Sequence, residues 1–125
     1  MPEELSELIA ISPIDGRYQS KTKPLAQFFS EYALIKYRVL VEVEWLKSLS
    51  MADELKEIQK ISKGSIAELD ELAANFSIDD AAAVKTIEQT TNHDVKAVEY
   101  WLRDTLKTKN NLAPITSFIH FACTS

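Results

Sequence analysis

Thr90-Thr91-Asn92-His93-Asp94 gathers an imidazole, a carboxylate, a carboxamide and two hydroxyls directly before a periodic segment. Asn, Asp and Thr accept hydrogen bonds from the unpaired N–H groups of a helix's first turn, and an acidic residue there meets the favourable end of the helix dipole. Capping accounts for Thr91, Asn92 and Asp94 but leaves His93 without a task. The chemical reading gives it one. An imidazole beside a carboxylate can be held in one tautomer and adds a donor to a helix entrance already suited to anions. Arg17 and Tyr18 form a second candidate group, just after Ser12-Pro13-Ile14-Asp15-Gly16. Pro fixes φ and Asp-Gly supplies a positive-φ position, so a planar cation and a phenol follow a tight bend. They read either as a solvated charge with a packing aromatic or as a clamp for a phosphate or carboxylate. A third group stands at Thr116, His120 and Cys123-Thr124-Ser125, where small hydroxyls can cap a helix or bind a carboxylate.

The elements that must position these groups are helices. After Asp94, Val95, Val98, Trp101, Leu102 and Leu106 recur at three- and four-residue steps opposite Lys96, Glu99 and Arg103. Pro24, Leu25, Phe28 and Phe29 make a brief helix, and Ser30 can cap a much longer one running to about Leu49. That helix has apolar residues on most of its circumference, with Tyr32, Tyr37 and Trp45 as core aromatics, which suits an internal strut or a subunit contact. Residues 52–59 form a short helix candidate. Ser65-x-x-Glu68 and Ser77-x-x-Asp80 each fit a capping box and open two further helices. Pro114 starts the last helix, with Ile115, Phe118, Ile119 and Ala122 on one face and Thr116 and His120 on another. Short connections between these segments imply an antiparallel, all-α arrangement.

Composition narrows the functions. The 125 residues include 46% hydrophobic ones, enough for one domain with a core, and only two Gly and four Pro. A net charge of −5 argues against a general nucleic-acid surface. The most apolar stretch, around Tyr37 to Leu46, contains Arg38, Glu42 and Glu44, so no membrane span is expected. Gly16 and Gly64 cannot build a Gly-rich phosphate loop, and His93, His120 and Cys123 lack zinc spacing. No metal or cofactor is therefore expected. Cys123 is the lone cysteine and reads as a buried packing thiol, while Ser125 lacks the setting of a serine nucleophile. The start Met-Pro-Glu-Glu-Leu-Ser has no secretory character, which makes the cytoplasm the default.

Three blocks carry a resemblance: Ser12-Pro13-Ile14-Asp15-Gly16-Arg17-Tyr18, Thr90-Thr91-Asn92-His93-Asp94-Val95-Lys96-Ala97-Val98-Glu99-Tyr100, and Phe118-Ile119-His120-Phe121-Ala122-Cys123-Thr124-Ser125. In order and spacing they resemble the adenylosuccinate lyase family of the fumarase/aspartase superfamily. Argininosuccinate lyases fit the middle block poorly. The resemblance implies an all-helical, cytoplasmic homotetramer of purine biosynthesis that eliminates fumarate from a succinyl purine nucleotide and from the related imidazole ribotide. It implies that Arg17 and Tyr18 hold the nucleotide and that Asn92, His93 and Asp94 line the site. His120 would help receive the phosphate, and Thr124 and Ser125 the succinyl end. It also implies an N-terminal helical domain over 1–111 and the start of a central long-helix bundle at 112–125. The family's general base, on a Ser-rich loop, and its acid histidine would lie beyond position 125, so the chain alone should be inactive. The competing reading is a helical interaction module whose polar motifs are caps and whose apolar helix over 30–49 is a partner surface.

Overall fold

The computed structural model describes residues 3–124. Every regular element among them is helical: α1 (Glu3–Ile9), α2 (Gln19–Thr22), a 3-10 turn (Lys23–Leu25), α3 (Ala26–Phe29), α4 (Glu31–Met51), α5 (Lys63–Ala74), α6 (Ile78–Thr91), α7 (Asp94–Lys107) and a 3-10 helix (Ala113–Phe118). The chain divides into two compact units, one ending at Leu34 and the other beginning at Ile35.

The first unit is organised by the bend before Arg17. The Asp15 carboxylate accepts from the backbone N–H groups of Ser12 (2.8 Å) and Ile11 (3.3 Å). The Ser12 bond in particular holds this carboxyl below its ordinary range. Gly16 donates to the Ser12 carbonyl at 3.1 Å, and Tyr18 to the Pro13 carbonyl at 2.9 Å. The bend is as expected but the reason for its glycine is not. Gly16 does not have positive φ; instead a Cβ there would stand 2.8 Å from the Glu7 carbonyl oxygen, closer than real contacts allow. Ser30 caps α4 as anticipated, its hydroxyl accepting from Ala33 N–H at 3.1 Å.

In the second unit the core is aliphatic. Val39, Val43 and Leu46 of α4, Leu69 of α5, and Leu102 and Leu106 of α7 are fully buried. α7 packs along α6 and against the 3-10 helix, and Phe76 meets Trp101 edge to face at 5.1 Å. Lys47 ties α4 to α5 through Asp70 at 2.6 Å. The capping box at Ser77 and Asp80 is present with both reciprocal bonds.

Four expectations are corrected. Residues 52–59 form no helix but successive turns, with Ala52, Leu55 and Ile58 each donating three residues back. Ile58 is the only one of the eight that is buried, too little apolar contact to hold a helix that is marginal by itself. α5 begins earlier than the Ser65 box implied, because Ser62 is its cap and accepts from Ser65 N–H. Ser65 and Glu68 are used instead by Asn111, whose side-chain amide donates to both, at 2.7 and 2.9 Å. Tyr37 and Trp45 are exposed rather than core, and Tyr32 is half-buried. The segment after Pro114 is a 3-10 helix followed by a turn rather than an α-helix. Ile115 and Ile119 are buried as expected, but His120 and Ala122 adopt left-handed backbone (φ 64° and 63°), which no helix continues through.

These assignments separate core from cap in magnitude. Leu102→Ala is expected to cost about 2–5 kcal/mol by leaving a cavity, and Ser77→Ala about 1 kcal/mol by removing a cap. Urea unfolding of both variants checks this, and equal costs would mean that α7 is not the centre of the core.

Candidate functional site

The middle block is the junction of α6 and α7, which are joined by only Asn92 and His93. So tight a reversal needs a left-handed residue, and Asn92 supplies it with φ 52°, its N–H bonded to the Glu88 carbonyl at 2.8 Å. His93 is then extended and is itself the N-cap of α7: its Nδ1 accepts from Lys96 N–H at 3.2 Å. The residue left without a task by its sequence context therefore has a structural one. Accepting at Nδ1 places the neutral ring's proton on Nε2, which fixes the tautomer. Thr91 braces the same residue, its hydroxyl donating to the His93 carbonyl (3.0 Å) and accepting from the His93 N–H (3.2 Å). Asp94 accepts from Val95 N–H at 2.9 Å through Oδ1 and from Arg38 Nη1 at 2.8 Å through Oδ2. The Arg38 bond, then the Val95 bond, holds the Asp94 carboxyl below its ordinary range. Two first-turn N–H groups are thus already satisfied by side chains, so the helix entrance is less open to an anion than the residue types alone implied.

The block around residue 120 is also held by α4. His120 Nδ1 lies 2.6 Å from Glu42 Oε1, with the two side chains 9% and 10% exposed. Trp45 Nε1 donates to the Phe121 carbonyl at 2.7 Å. Thr116 turns inward, its hydroxyl donating to the Ala113 carbonyl at 2.9 Å, and does not share a helix face with His120. Thr124 is exposed, and Ser125 lies outside the described residues. Cys123 is exposed rather than packed in the core. The burial its thiol does have and the negative charge of Glu42 push its pKa up, against a nucleophilic role.

Arg17 and Tyr18 belong to the unit ending at Leu34. The Arg17 guanidinium stacks over the Tyr18 ring at 4.5 Å and also donates to its hydroxyl. Both residues are exposed. Within the second unit, Asp94 and His120 are both gripped by α4. Arg38 and Glu42 do this work and were not singled out from the sequence; their four-residue spacing on one helix was the available signal. Among the described residues no three His, Cys, Asp or Glu side chains cluster as a metal site would require, and no helix is long and apolar enough to cross a membrane.

A family profile described as lyase matches residues 16–125, and the chain belongs to that lyase family. It is similar to the adenylosuccinate lyases of Escherichia coli K12 (52% identical) and of Haemophilus influenzae and Vibrio cholerae (51% each), over 122 residues that make up 98% of this chain. The chain spans 27% of the length of these curated relatives.

The lowered Asp94 carboxyl sets a sign for pH dependence. Its contribution is present above the ordinary carboxylate pKa and is lost as pH falls through the lowered folded value. Because the pair is partly solvated, with Asp94 49% exposed, it is worth about 0–1 kcal/mol. Asp94→Asn is therefore expected to be slightly less stable than wild type at pH 7 and to converge with it in acid. Urea midpoints of both proteins across that range test this, and a gap that does not change with pH would remove the ion pair from the account.

Proposed function

We propose that this chain is the N-terminal part of an adenylosuccinate lyase and supplies substrate-binding residues to a site that eliminates fumarate from adenylosuccinate, giving AMP. The related succinyl-carboxamide imidazole ribotide is the second substrate. What carries this reading is the identity of about half the residues to proteins named adenylosuccinate lyase across nearly the whole chain, together with a family match that contains every candidate residue. Arg17 and Tyr18 take the nucleotide portion, and Asn92, His93 and Asp94 line the site. His120 takes the phosphate, and Thr124 and Ser125 the succinyl carboxylates. Residues 1–111 act as an N-terminal helical domain, and 112–125 open the central bundle. The enzyme works as a cytoplasmic homotetramer without a cofactor.

The chemistry fits these residue types. A phosphate and two carboxylates call for a guanidinium, imidazoles and hydroxyls. The tautomer fixed at His93 gives Nε2 a proton to donate. Large exposed apolar side chains, among them Ile11 (98%), Phe29 (80%) and Val41 (65%), support work inside a larger assembly. They equally favour the second reading, a helical assembly module, which kinetics separates from the first.

Two outcomes follow. The 125-residue chain alone is expected to release no fumarate above a buffer blank, since the general acid and base come from elsewhere and contribute roughly a hundredfold or more each. In the full-length protein, His93→Asn keeps a good N-cap acceptor but loses Nε2. It should melt close to wild type while kcat/KM falls on the order of a hundredfold. His93→Ala should lose both turnover and about 1 kcal/mol of cap. Wild-type kinetics in His93→Asn would return His93 to capping alone, and a full-length wild-type protein that releases no fumarate would favour the assembly module.

A further inference from the structure

The turn that carries His120 has little regular structure to hold it. His120 and Ala122 both take left-handed backbone, a conformation disfavoured for side chains with a Cβ. Its local bonds are Phe121 N–H to the Phe118 carbonyl at 3.1 Å and Cys123 N–H to the His120 carbonyl at 3.2 Å. The Phe118 and Phe121 rings also meet edge to face at 5.7 Å, and further restraints come from α4. Trp45 clamps the Phe121 carbonyl, and Glu42, three residues earlier, faces the His120 ring. Residues at this spacing lie on one helix face, so both reach the same turn.

The Glu42 contact differs from an ordinary ion pair in its burial and in what it leaves over. Both side chains are about nine-tenths buried. A carboxylate only accepts, so Nδ1 is the donor across the 2.6 Å separation. His120 Nε2 and Glu42 Oε2 are buried and have no hydrogen-bond partner among the described residues. Buried polar atoms are nearly always satisfied, and a buried pair left half-satisfied is poor for stability compared with apolar packing. That combination is what a site prepared for a ligand looks like, with one ring nitrogen fixed and the other held ready.

We propose that Glu42 is a positioning residue, which grips Nδ1 of His120 and thereby aims Nε2 at an anionic group of the substrate. This rests on the lyase reading, in which His120 meets the phosphate. Binding an anion at Nε2 requires a proton there, taken up from solvent, so the bound ring carries two N–H groups. Glu42 then balances the positive charge and touches no substrate atom. A purely structural pair would affect melting but not affinity.

The test is a double-mutant cycle in the full-length protein, read by steady-state kinetics with adenylosuccinate and by melting. Glu42→Gln removes the charge and keeps the volume. It is expected to raise KM about tenfold or more with kcat changed far less, the pattern of lost uniform binding. Adding Glu42→Gln to His120→Asn should cost nothing further, because residues acting through one another are not additive. Imidazole 15N spectra of wild type should show His120 with both nitrogens protonated when inorganic phosphate or AMP is bound, and Glu42→Gln should lose that signature. If Glu42→Gln does not accumulate, Glu42→Asp, which keeps the charge but retracts it by one methylene, should show the same KM split. Wild-type turnover with unchanged KM in these variants, or effects that multiply in the double variant, would overturn the proposal alone. A wild-type protein that releases no fumarate would overturn the lyase reading and this proposal with it.

Discussion

Both candidate segments of the second unit take their positions from one stripe of α4. Arg38, Glu42 and Trp45 fall four and three residues apart and so share a face. They reach Asp94, the His120 ring and the Phe121 carbonyl. Polar contacts of this kind could not place the helix by themselves, since a partly exposed ion pair such as Arg38–Asp94 is worth about 0–1 kcal/mol. Val39, Val43 and Leu46 can, because all three are fully buried and each contributes on the order of 1.5–3 kcal/mol. The division of labour follows from these magnitudes. Aliphatic burial fixes the helix, and the fixed helix then holds polar atoms where weak bonds suffice to orient the segments around it.

The junction between α6 and α7 shows how much can be asked of four residues. With only Asn92 and His93 between the helices, each polar side chain is drawn into satisfying backbone. Asn92 takes the left-handed turn, Thr91 braces His93, His93 caps α7, and Asp94 both accepts from Val95 and pairs with Arg38. Capping and substrate positioning are therefore compatible in the same imidazole, because the cap uses Nδ1 and leaves Nε2. The two readings of His93 that its residue type allowed describe two different nitrogens.

What could be read from the sequence was whatever depends on spacing within one segment. The all-α class, the amphipathic α7, the Ser30 cap and the Ser77–Asp80 box all follow from local patterns that tertiary contacts did not override. What failed was whatever depends on a partner far away in the chain. Ser65 and Glu68 look like a capping box but serve Asn111, more than forty residues on. Residues 52–59 have helix-forming composition, yet only Ile58 finds a buried place. Tyr37 and Trp45 are aromatic but exposed. The same limit hid Arg38 and Glu42. A charge within an apolar helix reads as a solvated position until the segments that it grips are placed beside it.

Under the proposed lyase reading, an acidic chain would have to receive a substrate with a phosphate and two carboxylates, which poses an electrostatic problem. With a formal charge of −5, the chain by itself does not attract such a molecule, and at physiological ionic strength charges beyond about 8 Å are largely screened anyway. Only nearby groups matter, and two carboxylates stand in or against the candidate segments of the second unit, Asp94 and Glu42. Each is occupied. Asp94 is paired with Arg38 and bonded to Val95, and Glu42 is turned to the His120 ring. Unpaired, either would repel the ligand at close range in a partly desolvated setting, where Coulomb energies are several-fold larger than in water. Paired, they become restraints that orient other groups: Asp94 ties the α7 entrance to α4, and Glu42 holds Nδ1 of His120 and leaves Nε2 without a partner among the described residues. The polar stripe of α4 thus supplies geometry to the proposed site, with Arg38 offsetting the charge of Asp94 and the proton that the His120 ring would take up on binding offsetting that of Glu42.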